Sequence, residues 1–337
     1  MNRTVLTAAL MLPFLLVACH PDNNPGERNE GDDGAVAASS IVLNKTSMTI
    51  WVQTIHELVA TVEPSECTDA VKWETSDAEV ATVKDGSVRG VGVGEAVITA
   101  SAGGKTAECQ VTVIPVGAVD LGVYVIKPSV GPRRVFWAQS NVDASGPHHY
   151  GNYFAWGEYN VHYNRLSPLE WKTGMSDGYA WSDYKFAKGA ENKITRYCSS
   201  DRADLWAGTG SPDGKTTLDK GDDVAREVMV GRWRTPTRAD WDALLTQCKW
   251  EPYTLNRKKG FRVISKADET NEIFLPLAGY WNGTVNNTEG EWGYYWMDGI
   301  YSDVKRAYAM QLSASTAKEG VVPRCYGCSV RAVMDLD

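Results

Sequence analysis

The sequence predicts an all-β sandwich followed by an α+β domain that is rich in loops. A length of 337 residues is enough for about two domains, each with its own core. From residue 41 to residue 113, short runs alternate apolar and polar residues, which is the period of half-buried strands. Beyond Val119 the chain carries all 15 tyrosines and most of the 13 tryptophans, so a second domain begins near that point.

Composition excludes several classes of protein. The chain is 43% hydrophobic and 23% charged, which is ordinary for a globular protein and unlike a disordered or multi-span membrane protein. Its formal net charge of -8 argues against nucleic acid as a partner. The aromatic residues are mostly tyrosine and tryptophan, whose flat apolar rings carry a polar tip that suits wet binding surfaces as well as cores.

The first 18 residues have the pattern of an export signal. Arg3 is followed by an apolar run over residues 5–18 that is short for a membrane span. The run ends in LVAC at residues 16–19, which resembles a bacterial lipobox. The resemblance implies cleavage before Cys19 and acylation of its sulfur, which would anchor the protein in a membrane. The alternative is an ordinary secretory signal with a cysteine nearby.

Residues 19–39 predict a flexible acidic tether, since proline, glycine and asparagine alternate there with aspartate and glutamate. Acidic residues soon after a lipidated cysteine also resemble the surface-export signals of Bacteroidetes lipoproteins. A solvated spacer accounts for the same residues. We therefore expect a lipid-anchored protein of the outer membrane or cell surface, with the membrane as one partner.

Residues 40–115 form the predicted sandwich. Strand patterns at residues 58–62, 81–83 and 96–100 are separated by turn signals such as Asp85-Gly86. The segments VKWETSD at 71–77 and GVGVGEA at 90–96 resemble the bacterial Ig-like group 2 domain. That resemblance implies a spacer module, with Trp73 as an anchor of its core.

Six cysteines remain after Cys19, and two of them, Cys67 and Cys109, fall within this module. In an extracytoplasmic setting we expect a local Cys67–Cys109 disulfide, with two buried free thiols as the alternative.

The second domain has two helical patterns among short strands. One pattern lies at residues 222–229. The other is capped by Thr237, with Asp240 in the third position and apolar residues recurring from Trp241 to Cys248.

Several motifs of this domain resemble one family. They are VDLG at 119–122, YGNYFAWGE at 150–158, GRWRTPT at 231–237, FLPLAGY at 274–280, GYYW at 293–296 and GCSVR at 327–331. In order and spacing they are similar to the Fibrobacter succinogenes major paralogous domain over residues 119–337. The resemblance implies a C-type-lectin-like fold related to the formylglycine-generating enzymes.

Catalytic and metal sites receive little support from the residues. Cys325 and Cys328 have a CxxC spacing, but Cys328 occupies a position in the closing motif that favours a packed strand residue. Adjacent histidines such as His148 and His149 rarely chelate one ion together. We therefore expect no enzyme, no catalytic residues, no metal and no cofactor.

Calcium is the alternative cofactor, at an acidic stretch formed by Asp213, Asp219, Asp222 and Asp223. The segments at 251–253 and 281–283 depart from the calcium-binding motifs of C-type lectins.

Residues 279–301 combine aromatic rings with amides and carboxylates, a combination that suits recognition of a protein or a glycan. Within this stretch, Tyr280, Tyr294 and Trp296 belong to the family motifs, and we expect them in the core. The candidate ligand-binding residues are Trp281, Asn286, Asn287, Trp292, Tyr301, Arg324 and Tyr326. The sequence thus predicts non-catalytic recognition or adhesion at the cell surface. The alternatives are a formylglycine-related thiol oxidase using Cys325 and Cys328, and a structural pilus-tip subunit.

Overall fold

The computed structural model describes residues 35–164, 167–172, 177–229 and 232–336. The predicted signal peptide, the lipidation site at Cys19 and most of the tether lie outside these ranges. Among the described residues, no helix has the length and apolar character that a bilayer crossing requires.

The first domain consists of nine strands. They are β1 (Ser40–Leu43), β2 (Ser47–Trp51), β3 (Ile55–Glu57), β4 (Ala60–Glu63), β5 (Lys72–Thr75), β6 (Ala81–Lys84), β7 (Ser87–Gly90), β8 (Gly94–Ala102) and β9 (Lys105–Ile114). One sheet has the order β2-β9-β8-β5, a second has the order β3-β7-β6, and β1 pairs with β4. Strands β2 and β9 are parallel, and the other pairs are antiparallel.

Alternation along the strands builds the core of this domain, as the sequence predicts. In β8 the side chains of Ala96, Ile98 and Ala100 are buried on one face, while the residues between them are half-buried. The predicted Asp85-Gly86 turn joins β6 to β7 with φ angles of 50° and 83°. A side chain at Gly86 would meet the Leu58 carbonyl oxygen at 2.4 Å, so both the conformation and the space require glycine.

Two expectations for the first domain need adjustment. Trp73 is half-buried rather than fully enclosed, and it packs between the two apolar clusters of the domain. Residues 36–39, assigned above to the tether, pack onto the domain instead. Ala38 is buried, and its N–H donates to Asp69 Oδ2 at 2.8 Å.

The expected Cys67–Cys109 disulfide is wrong for this structure, in which both cysteines are free. Cys109 faces Ile98 across the β8–β9 pair and is buried in one apolar cluster. Cys67 lies between β4 and β5 and packs against the other cluster, near Ile41. The two thiols therefore pack against different clusters. Of the alternative, two buried free thiols, the structure confirms that both are free but buries only Cys109, since Cys67 is half-buried.

The second domain combines small antiparallel sheets, two short helices and long loops. Its strands are β10 (Ala118–Lys127), β11 (Gly131–Ala138), β12 (Tyr163–Asn164), β13 (Ser167–Trp171), β14 (Cys248–Leu255), β15 (Lys258–Ser265), β16 (Glu272–Pro276), β17 (Tyr280–Asn282), β18 (Val285–Asn287), β19 (Gly293–Ile300), β20 (Arg306–Leu312), β21 (Ala317–Pro323) and β22 (Val333–Asp335). Its helices are α1 (Val224–Val228) and α2 (Arg238–Gln247), with 3₁₀ helices at Ser200–Leu205 and Lys220–Asp222.

Helix α2 confirms the stronger helical prediction. The Thr237 hydroxyl accepts from the N–H of Asp240, whose carboxylate in turn accepts from the N–H of Thr237, a complete capping box. Trp241 and Leu244 are buried, as the periodicity predicts. Cys248 was expected at the end of this helix, but it starts β14 instead. There it is extended and pairs with Ser265.

The sheet β19-β20-β21 separates two apolar clusters. Trp296 and Ala309 face one cluster, while Tyr295 and Met310 face the other, as alternation along β19 and β20 requires. This division determines which aromatic side chains near the sheet share a surface.

Candidate functional site

The hairpin β17–β18 and the turn that ends at Gly327 lie side by side. Trp281 N–H donates to the Gly327 carbonyl at 2.8 Å, and Gly327 N–H donates back to the Trp281 carbonyl at 3.0 Å. Gly327 allows this approach, because a Cβ there would lie 2.9 Å from the ring of Tyr179. The pairing brings Tyr326, close to the end of the chain, next to Tyr280 at the start of the hairpin.

Four half-buried rings form a continuous surface that we call the aromatic ledge: Tyr280, Trp292, Tyr294 and Tyr326. Tyr280 is stacked on Tyr326, with centroids 5.4 Å apart and planes at 10°. Tyr294 meets Tyr280 edge-on at 4.9 Å, and Trp292 lies along Tyr294 at 6.3 Å. Tyr280 and Tyr294, expected in the core, are only half-buried, whereas Trp296 is buried as predicted.

The three tyrosine hydroxyls of the aromatic ledge make no hydrogen bond with any described residue, although their rings pack on the core. Burial raises the pKa of Tyr294 to about 12 and also raises the pKa of Tyr326, whose neighbours Cys325 and Tyr280 add to the shift. These two phenols stay neutral at physiological pH and retain both a donor and an acceptor. The ledge therefore offers apolar faces together with hydroxyls that no described residue uses.

Within the described part of the chain, no basic side chain lies over the rings of the ledge, whereas several tyrosines elsewhere have one. By contrast, the Arg238 guanidinium lies 4.3 Å from the centroid of Tyr308, and the Lys258 ammonium lies 4.1 Å from that of Tyr150. Among the described residues, no basic side chain thus covers the faces of the ledge.

Cross-strand pairing divides the predicted hairpin residues between two faces. Tyr280 pairs with Asn287, so Asn287 lies on the side of the aromatic ledge. Trp281 pairs with Asn286, and both lie on the opposite side. There Trp281 packs 6.2 Å from Tyr153, whose hydroxyl Asn286 approaches at 3.4 Å.

Arg324 is not a surface residue, which corrects the expectation from sequence. Its side chain is fully buried, and its Nε donates to the Tyr184 hydroxyl at 3.0 Å. Its terminal nitrogens donate to the carbonyls of Tyr197, Val304 and Arg196 at 3.1, 2.8 and 2.9 Å. Four of the five N–H donors of the guanidinium thus bind groups of the protein, and full burial keeps the side chain away from a surface ligand.

Tyr301 does not join the ledge either. It packs edge-on against Tyr308, whose side chain lies on the opposite face of the β19–β21 sheet, and Arg306 covers its ring at 5.0 Å. Of the seven predicted ligand-binding residues, the structure brings together Trp292, Tyr326 and Asn287, with Trp281 and Asn286 behind them.

The thiols of the CxxC segment are buried. Desolvation raises the pKa of Cys325 to about 12 and the pKa of Cys328 well above its usual value. Redox and nucleophilic chemistry need a thiolate, which burial disfavours at both positions. The two thiols therefore do not resemble a reactive pair.

The acidic stretch is occupied by protein donors. Asp219 accepts from Arg196 and Lys215, each at 2.5 Å, and Asp223 accepts from the Thr235 hydroxyl at 2.7 Å. Asp213 and Asp222 are likewise bonded, to main-chain N–H groups and to the Tyr197 hydroxyl respectively. These interactions use the oxygens that calcium would need. Within the described ranges, no three histidine, cysteine or acidic side chains converge on a metal site.

His148 and His149 lie in a loop near the surface, with ring centroids 4.0 Å apart. His149 Nδ1 lies 2.6 Å from the Ser145 hydroxyl.

Sequence reasoning missed a buried acid–base pair. His162 is fully buried, with Nε2 2.7 Å from Glu158 Oε2 and Nδ1 2.7 Å from the Gly178 carbonyl oxygen. The two residues are four apart but not in a helix, so no periodic signal marks them.

Comparison with known proteins identifies the first domain. Residues 37–113 match the family model of the bacterial Ig-like domain (group 2), which confirms the predicted module. Part of the chain is similar to a solved structure titled "Crystal structure of the S-layer protein SbsC domains 4 and 5", with 21% identity and a TM-score of 0.22. The match covers 23% of this chain and 52% of the S-layer chain, so it spans about half the length of that structure. No curated protein matches.

Proposed function

We propose that this chain is a lipid-anchored protein of the outer membrane or cell surface that recognises a protein or glycan through its C-terminal domain, without catalysis. The Ig-like match at residues 37–113 supports a protein of the surface or adhesion type. The lipobox-like LVAC at residues 16–19 supports the anchor, and the resemblance of residues 119–337 to a lectin-like family supports a recognition domain.

The observation that carries the proposal is the aromatic ledge. Surfaces that bind proteins or glycans combine flat apolar contact area with directional hydrogen bonds, and tyrosine and tryptophan supply both. Here Tyr280 and Tyr326 are stacked, Tyr294 meets them edge-on, and their hydroxyls have no partner among the described residues. The ledge belongs to the domain farther along the chain from Cys19, so a ligand can reach it away from the membrane.

A binding screen against a glycan array and a panel of surface proteins tests the function. For any ligand found, we expect Trp292→Ala and Tyr326→Ala each to weaken binding at least about 10-fold, because each removes a stacking surface. Tyr326→Phe keeps the ring and removes the hydroxyl, so it separates stacking from hydrogen bonding. Affinities are measured by surface plasmon resonance.

Tyr301→Ala is the matched control, since it removes an aromatic ring that is also half-buried but lies on the other face of the sheet. We expect that variant to bind as the unmodified protein does. If both ledge variants keep full affinity while their melting temperatures are unchanged, the ledge is not the recognition surface.

A further inference from the structure

The ring of His162 makes two hydrogen bonds, and both partners are acceptors. Nε2 contacts the carboxyl oxygen of Glu158, and Nδ1 contacts the carbonyl oxygen of Gly178, each at 2.7 Å. A neutral imidazole has only one N–H, so it can satisfy only one of these two bonds. With a Glu158 carboxylate, the observed geometry requires an additional proton between Nε2 and Oε2.

The other oxygen of Glu158 favours placing that proton on the histidine. Glu158 Oε1 accepts from the main-chain N–H of Lys185 at 2.7 Å, which stabilises the ionised carboxylate. The pair is then an imidazolium and a carboxylate, both buried.

The groups around His162 act in opposite directions on its charge. Burial lowers the pKa of His162, but the Glu158 hydrogen bond and charge, the Gly178 carbonyl and the more distant Asp183 outweigh burial, so the pKa is raised. The ring of Tyr179 is stacked on the imidazole at 4.5 Å with planes at 6°. The Lys185 ammonium points elsewhere, to Asp222 at 3.0 Å.

His162 also connects two segments of the domain. Tyr179, stacked on it, exchanges two main-chain hydrogen bonds of 3.0 Å with Gly283 at the tip of the β17–β18 hairpin. The Tyr179 hydroxyl donates to the carbonyl of Tyr153, whose ring packs against Trp281 of the hairpin. Residues 177–183 are therefore held between the Glu158–His162 pair and the hairpin.

We propose that the proton on His162 is a pH-sensitive latch that holds residues 177–183 against the β17–β18 hairpin and opens under alkaline conditions. Loss of the proton leaves an imidazole lone pair facing the Glu158 carboxylate, or else leaves the Gly178 carbonyl without its donor. Either change removes a buried hydrogen bond and loosens the segment. The latch belongs to the fold and does not depend on the proposed ligand.

Nitrogen-15 NMR of the unmodified chain tests the proton directly. At pH 7 we expect both ring nitrogens of His162 to be protonated, with a titration midpoint above the usual histidine value of about 6.5. Single asparagine substitutions at each of the other four histidines, His20, His56, His148 and His149, assign their signals and leave that of His162. A His162 ring with one protonated nitrogen at pH 7 would overturn the proposal.

Hydrogen exchange between pH 6 and pH 10 tests the opening. After correction for the intrinsic base catalysis of exchange, we expect protection of the Tyr179 and Gly283 amides to fall at least about 10-fold above the His162 midpoint. The mutually bonded Phe154 and Cys328 amides are the control, and their protection should stay constant.

The variant Glu158→Gln removes the carboxylate and is expected to lower the pKa of His162, because burial then acts without the main group that opposes it. The pH dependence of the Tyr179 and Gly283 protection should then disappear. Constant protection of these two amides across the pH range in the unmodified chain would refute the latch.

Discussion

Arg324 and Arg331 are both fully buried, and neither forms an ion pair within the described ranges. Carbonyl oxygens take the place of carboxylates: Arg331 donates to the carbonyls of Ala138, Gln139 and Phe274, and to the Asn141 amide oxygen. Burial lowers the pKa of Arg331 to about 10, still above physiological pH. These two charges connect segments that are far apart in the sequence, such as residues 196–197 with 304 and residues 138–141 with 274.

Asp298 behaves differently, because its pKa is raised to about 7. Burial is the main cause, and Asp240 and Asp223 add to it, although Arg234 opposes them. A carboxyl whose pKa is higher in the folded state than in the unfolded state stabilises the fold when protonated. Its contribution is complete below about pH 4 and is lost as the pH rises through 7.

We predict that Asp298→Asn raises the free energy of unfolding relative to the unmodified protein at pH 8.5 but not at pH 4. The difference should be on the order of 4 kcal/mol, since the pKa of Asp298 is raised from 3.8 to about 7 and one pKa unit corresponds to about 1.4 kcal/mol. Urea denaturation at several pH values measures it. Asp242→Asn, at an exposed position on α2, is the control. Parallel stability curves for Asp298→Asn and the unmodified protein would contradict this assignment.

At the scale of elements, α2 depends on its first turn. The Thr237 hydroxyl accepts from the Asp240 N–H at 3.1 Å, and Asp240 also binds the guanidinium of Arg234. The guanidinium in turn contacts Asp335 in β22, at 2.8 Å. One capping box thus links the helix to a strand almost a hundred residues away.

We expect Thr237→Ala to lower the free energy of unfolding by about 1 kcal/mol, the usual loss for an N-cap hydroxyl. Thr246→Ala is the matched control, because the Thr246 hydroxyl donates only to the carbonyls of Asp242 and Ala243 within the same helix. Chemical denaturation of both variants compares them. Equal stabilities would show that the cap contributes nothing.

The elements also show how far sequence reasoning reaches. The Asp85-Gly86 hairpin and helix α2 were predictable because their signals lie within about ten residues. Which face each aromatic ring occupies was not predictable, because it depends on long-range pairings such as Trp281 with Gly327. Tyr301 and Arg324 were misplaced for that reason. The Glu158–His162 pair was not predicted, because both residues lie in loops, where no periodic pattern indicates which side chains meet.

At the scale of the whole molecule, the two domains meet closely. Strand β9 ends at Ile114, and β10 begins at Ala118. Trp51 Nε1 donates to the Ala118 carbonyl at 3.0 Å, and the Thr49 hydroxyl donates to Asp120 at 3.1 Å. A cleft of about 1140 Å³ lies beside these contacts, lined by residues of both domains. The first domain is therefore braced against the second by side chains as well as by the linker.

We predict that Trp51→Phe, which removes one of these hydrogen bonds, broadens the distribution of distances between the two domains. The cost of the lost bond is about 1 kcal/mol, enough to populate open arrangements. Paired spin labels, one on each domain, measure the distribution. Trp250→Phe is the control, since its indole donates to Leu244 within the second domain. An unchanged distribution for Trp51→Phe would show that the linker alone sets the arrangement.

Strand β22 lies against β11, near the beginning of the same domain, and its Asp335 binds Arg234 and Lys127. During synthesis, β11 therefore stays without one of its neighbours until about two hundred further residues have been translated. The Ig-like module, whose pairings end at β9, can close long before that. A nascent chain thus carries a finished module ahead of an unfinished one, and the exposed edge of β11 is where a chaperone would be most useful.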